Sequence, residues 1–97
     1  MQTLQDNELF QTGYLVDGLW KTLDTTFDVL NPATGETIAK VAKAGKQQTE
    51  DAIAAASKAF PAWRAKTAKE RSAILYRWYE LIIENKSWLG RLMTAEQ

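Results

Sequence analysis

The spacing of hydrophobic residues changes once along this chain, between residues 43 and 48. Before that segment, short runs alternate between apolar and polar residues, which is typical of strands. After it, apolar residues recur every three or four positions, which is typical of helices. The pattern predicts an α/β chain (α+β when taken in isolation), with two N-terminal β-hairpins followed by two or three α-helices.

The first predicted hairpin is centred on Asp17-Gly18, which separates residues 14–16 from residues 19–21. A type I′ turn needs positive φ at both central residues, and Asp-Gly suits that geometry. In this register Leu15 lies opposite Trp20, which provides an apolar pair across the two strands. The sequence therefore predicts a tight hairpin near the N-terminus.

The second predicted hairpin joins residues 27–30 to residues 36–42 through Asn31-Pro32-Ala33-Thr34-Gly35. Asn-Pro favours the start of a turn, and glycine tolerates the left-handed conformation that closes it. Residues 13–42 are thus predicted to be hairpins, residues 1–12 are expected to be flexible, and residues 49–97 are predicted to be helical.

Three helix starts are predicted in the second half of the chain. Thr49 is a candidate N-cap for the first helix, which Pro61 is expected to interrupt. Thr67 and Glu70 have the spacing of a capping box, in which each side chain accepts from the other residue's backbone N–H. The third helix is predicted to begin near Ser87 or Trp88.

Composition excludes several classes of function. Lys plus Arg and Asp plus Glu are 12 each, so no net positive charge favours a nucleic acid or an anionic membrane. Cysteine and histidine are both absent, which removes disulfides, zinc–thiolate sites and the common neutral-pH base from these residues. The N-terminal residues lack a secretory signal, and no apolar run reaches the length of a membrane span. We expect a soluble, cytoplasmic protein with no nucleic-acid or membrane partner.

Few side chains are candidates for chemistry. Glu80 and Glu84 are four residues apart on a predicted helix, a spacing that suits a metal or an acid–base pair, but a solvated pair of surface carboxylates is the favoured interpretation. Lys40, Lys43 and Lys46 form a loose basic cluster without aromatics and without the glycine spacing of a phosphate-binding loop, which favours a solvated loop over a phosphate site. The spacing of the four tryptophans indicates packing anchors, not a ligand cage.

A series of short signatures carries a family resemblance. In chain order they are Gly-Tyr-Leu-Val-Asp-Gly-Leu-Trp from residue 13, Phe-Asp-Val-Leu-Asn-Pro-Ala-Thr-Gly-Glu from residue 27, Asp-Ala-Ile-Ala-Ala-Ala from residue 51, Ala-Phe-Pro-Ala-Trp-Arg from residue 59, Lys-Glu-Arg-Ser-Ala-Ile-Leu from residue 69, and Leu-Met-Thr-Ala-Glu-Gln from residue 92. Together they resemble the opening of the aldehyde dehydrogenase superfamily. The segment from Trp63 to Arg71 is most similar to succinate-semialdehyde dehydrogenases.

The resemblance implies that residues 1–97 are the N-terminal fragment of an NAD(P)-binding domain in a longer parent enzyme. Family members oxidise an aldehyde with NAD or NADP through a cysteine thiolate and a glutamate-activated water. The residues matched here would hold no catalytic residue and no cofactor contact, so this segment alone would be inactive. The parent enzyme would use NAD or NADP as its cofactor. The implied parent reaction is oxidation of succinate semialdehyde to succinate, with another semialdehyde or an aliphatic aldehyde as the alternative.

One implied site falls partly within this segment. Many family members bind a structural monovalent cation through backbone oxygens before the Asn-Pro turn and an acidic side chain on the third helix. The matching positions are Val29, Leu30 and Glu96. Backbone carbonyls and a carboxylate suit a hard cation. The alternative is that these residues are a strand edge and a surface glutamate.

Two hypotheses from different classes remain open. The last predicted helix has an apolar side and ends without a C-cap glycine, which favours a truncated enzyme fragment. Such a fragment is expected to bind the remainder of the parent enzyme, and to self-associate in its absence. The second hypothesis is a freestanding, non-catalytic binding or assembly module.

Overall fold

The structure is a computed structural model, and it describes residues 3–97. The elements, in chain order, are a short 3-10 turn at Leu4–Asp6, strands β1 (Tyr14–Val16), β2 (Leu19–Lys21), β3 (Thr26–Leu30) and β4 (Thr37–Ala42), and helices α1 (Lys46–Ala65), α2 (Ala68–Glu84) and α3 (Lys86–Glu96). Strands β1 and β2 form one antiparallel pair, and β3 and β4 form another. Two hairpins followed by three helices confirm the predicted fold.

The β1–β2 hairpin has the predicted turn and register. Asp17 and Gly18 both have positive φ, 54° and 73°, as a type I′ turn requires. Leu15 lies opposite Trp20, as predicted from the turn sequence. Local turn chemistry therefore determines this hairpin.

The β3–β4 hairpin closes through the predicted Asn-Pro turn. The Gly35 N–H donates to the carbonyl oxygen of Asn31 at 2.7 Å, and Gly35 has a φ of 76°. Lys40 lies opposite Asp28, and their side chains form an ion pair at 2.8 Å. The register shifts between Val29 and Leu30, which marks a β-bulge in β3.

Helix α1 corrects two predictions. It begins at Lys46, one turn earlier than predicted, because Gln48 Oε1 accepts from the Gly45 N–H at 2.8 Å. The Thr49 hydroxyl therefore does not cap the helix: it donates to the Gly45 carbonyl oxygen at 3.0 Å. The helix also continues through Pro61 to Ala65. Pro61 removes one N–H donor, but this part of the helix is exposed, so water can hydrate the carbonyl that loses its partner.

The capping box of α2 is confirmed. The Glu70 N–H donates to Thr67 Oγ1, and the Thr67 N–H donates to Glu70 Oε1, both at 3.1 Å. The helix ends at Glu84, and the side chain of the C-cap residue Asn85 donates to the carbonyl oxygen of Leu81 at 2.8 Å. Helix α3 then begins at Lys86, close to the predicted position.

Three long-range hydrogen bonds attach the N-terminal segment to the rest of the fold. Trp88 Nε1 donates to the carbonyl oxygen of Leu4 at 3.2 Å, and Gln5 Nε2 donates to that of Ile38 at 3.0 Å. The Ala42 N–H donates to the carbonyl oxygen of Thr12 at 2.8 Å. Flexibility of residues 1–12 stays a prediction, and residues 1 and 2 lie outside the described residues.

Very little of the chain is buried. Val16 and Ala42 are the only buried hydrophobic residues among those described, and none of the three helices contains a buried residue. The solvent-accessible surface is 7848 Å², whereas a folded monomer of this mass exposes about 5,600 Å². The radius of gyration is 16.6 Å, against about 12.5 Å for a compact domain of this length. The fold is open and leaves much of its apolar surface uncovered.

Two glycine substitutions should have opposite effects on stability. A Cβ at Gly13 would collide with the carbonyl oxygen of Lys21, whereas a Cβ at Gly90 in α3 would meet no atom within 4 Å. We expect Gly13→Ala to destabilise the protein by about 1–3 kcal/mol and Gly90→Ala to stabilise it by about 0.5–1 kcal/mol. Thermal unfolding of both variants measures the difference, and a neutral Gly13→Ala would contradict the β1–β2 geometry.

The capping box should make α2 sensitive to acid. The backbone N–H and then the hydroxyl of Thr67 hold the pKa of Glu70 below its ordinary value of 4.5, with a smaller contribution from Lys66. Because the pKa is lowered in the folded state, the stabilisation is complete above 4.5 and is lost as the pH falls through the folded pKa.

We therefore expect Glu70→Gln to reduce the loss of helicity between about pH 6 and about pH 3, measured by circular dichroism. Glu50→Gln in α1 is the matched control and should retain the pH dependence. Equal acid sensitivity of Glu70→Gln and the unaltered chain would contradict this role for Glu70.

Candidate functional site

An apolar groove of about 510 Å³ separates the hairpins from α2 and α3. The N-terminal segment, three strands and two helices all contribute to its walls. Its residues are Leu9, Phe10, Gln11, Trp20, Val29, Ile38, Ala39, Val41, Trp78, Leu81, Ile82, Asn85, Trp88, Leu89, Leu92 and Glu96. Because both halves of the chain contribute apolar side chains to it, the groove is the surface on which we argue a function for this segment.

The structure brings three of the four tryptophans together around the groove. Trp20 comes from β2, Trp78 from α2 and Trp88 from α3, and their separation in sequence gave no signal of this. Trp20 is 53% exposed and Trp78 is 62% exposed, so the rings do not enclose a ligand. Trp63 lies elsewhere, beside Phe60 on α1. The spacing gave no reason to expect that three tryptophans converge, and their role as packing anchors stays a prediction.

The polar side chains at the groove are Gln11, Asn85 and Glu96. The Asn85 amide already donates to the carbonyl oxygen of Leu81, which ends α2. Among the described residues, no buried side-chain nitrogen or oxygen lacks a hydrogen-bond partner. The groove therefore offers an apolar docking surface, and it contains no nucleophile paired with a base.

The structure places two of the three candidate cation ligands at this groove. Val29 and Glu96 both line it, whereas Leu30, at the end of β3, is 49% exposed and does not. The bulge between Val29 and Leu30 disturbs the strand ladder, and a bulge frees backbone groups from regular pairing. The described residues contain no cluster of three or more Asp, Glu, His or Cys side chains suited to a metal ion. A cation site at Val29, Leu30 and Glu96 stays a prediction.

All but Lys43 of the other charged candidates are engaged in ion pairs. Arg77 Nη1 lies 3.9 Å from Glu80 Oε1 and 3.4 Å from Glu84 Oε1, so both carboxylates pair with the Arg77 guanidinium on the surface of α2. In the basic cluster, Lys40 pairs with Asp28 and Lys46 pairs with Glu50 at 3.7 Å. Ion pairing supports the surface interpretation of both groups.

Comparison with models of known protein families identifies the family of this chain. Residues 20–97 match the model of the aldehyde dehydrogenase family. The chain belongs to the aldehyde dehydrogenase family. In this family's fold, two antiparallel strand pairs and three helices correspond to an N-terminal segment.

The relatives of this aldehyde dehydrogenase segment are enzymes of much greater length. Over 97% of this chain, it is 55% identical to glutarate-semialdehyde dehydrogenase from Pseudomonas putida and 46% identical to an NADP-dependent succinate-semialdehyde dehydrogenase from Escherichia coli. The crystal structure of an NADP-dependent enzyme from E. coli superposes on 98% of the chain with a TM-score of 0.92 and 45% identity. The chain spans about 20% of the length of each of these relatives.

The cation prediction can be tested on the complete protein that carries this segment. A cation that binds only the folded state, at about a hundredfold excess over its Kd, raises the free energy of unfolding by about 2.7 kcal/mol. We expect Na⁺ or K⁺ to raise Tm relative to tetramethylammonium at equal ionic strength, and Glu96→Gln to remove that difference. Glu80→Gln is the control that should retain it. A cation-dependent Tm in Glu96→Gln would exclude Glu96 as a ligand.

Proposed function

We propose that the protein carrying this segment is an NAD(P)-dependent aldehyde dehydrogenase whose substrate is a short aldehyde with a carboxylate at its other end. Two relatives that cover nearly all of the chain are named for succinate semialdehyde and glutarate semialdehyde, both of which have this chemistry. Succinate semialdehyde is the proposed first substrate, and glutarate semialdehyde is the alternative supported by the 55% identical relative.

The proposed reaction divides between this segment and the remainder of the protein. A cysteine thiolate adds to the aldehyde carbonyl, the carbonyl carbon loses a hydride, and a glutamate-activated water releases the acid and regenerates the thiolate. NAD(P), when bound, supplies the hydride acceptor. This segment has no cysteine, so the nucleophile lies outside it. Its groove has few polar groups for a dinucleotide, and we assign it no cofactor contact.

The contribution of these residues is structural in this proposal. The observation that carries it is the apolar groove, where three tryptophans, leucines and isoleucines from the N-terminal segment, two strands and two helices surround about 510 Å³ of uncovered space. Burying one such side chain stabilises a fold by about 1.5–3 kcal/mol. We propose that residues outside this segment fill the groove and that Trp78 and Trp88 anchor them.

We also propose that the protein functions in the cytoplasm without a membrane or nucleic-acid partner. The balanced charge of 12 basic and 12 acidic residues gives no attraction for polyanions. Within residues 3–97, no helix combines the length and apolar character that a membrane crossing needs.

Substrate specificity is tested by steady-state kinetics on the complete protein. A charged hydrogen bond contributes about 1.5–3 kcal/mol, so losing the carboxylate should lower kcat/KM by about tenfold to a hundredfold. We expect succinate or glutarate semialdehyde to exceed butanal by that factor, measured as NADH or NADPH formation. Equal kcat/KM for butanal and the semialdehydes would contradict a carboxylate-bearing substrate, and no oxidation of any aldehyde would contradict the proposed activity.

The structural role is tested on the 97-residue chain by light scattering and far-UV circular dichroism. We expect no aldehyde oxidation, together with a concentration-dependent oligomer or incomplete folding, because the groove lacks its occupant. A well-folded monomer with a sharp thermal transition would instead support the freestanding-module hypothesis.

A further inference from the structure

We draw no further inference here: the strongest candidate, the apolar surface strip of α1 formed by Ala56, Ala59, Phe60 and Trp63, carries nothing because nothing in the structure shows what covers it in a segment that spans about 20% of the length of its relatives.

Discussion

The N-terminal segment holds the two halves of this fold together. Its carbonyl oxygens accept hydrogen bonds from Trp88 on α3 and from the backbone of Ala42 on β4, and the Gln5 side chain donates to Ile38 on β4. Each bond contributes about 0.5–1.5 kcal/mol. With only Val16 and Ala42 buried among the described residues, these bonds and the groove walls position the hairpins relative to α2 and α3.

That arrangement leaves a groove between the hairpins and the helices. The segment spans about 20% of the length of its relatives, and the walls of its groove are mostly apolar. Its apolar surface is too large for its own elements to cover, since three helices and two hairpins leave the large apolar residues of α2 exposed. Hydrophobic burial therefore favours association with additional polypeptide.

Features set by residues close in sequence could be predicted. Asp17-Gly18 determined the first turn, and Thr67 and Glu70 determined the start of α2, because each interaction spans at most three residues. The start of α1 was predicted wrongly. The Gln48 side chain accepts a hydrogen bond from the Gly45 N–H, so the helix begins before Thr49 and Thr49 does not cap it. Pro61 was expected to interrupt α1, but an exposed helix can lose one hydrogen bond and continue.

The sequence by itself determined the hairpins, the helices and the family, because turn residues, hydrophobic periodicity and ordered signatures are local properties of the chain. Only the tertiary structure brought Trp20, Trp78 and Trp88 to one groove and placed Val29 and Glu96 on its walls. These placements depend on how strands pack against helices and on hydrogen bonds such as that from Trp88 to Leu4. Residues so distant in sequence carry no periodic signal of their contact.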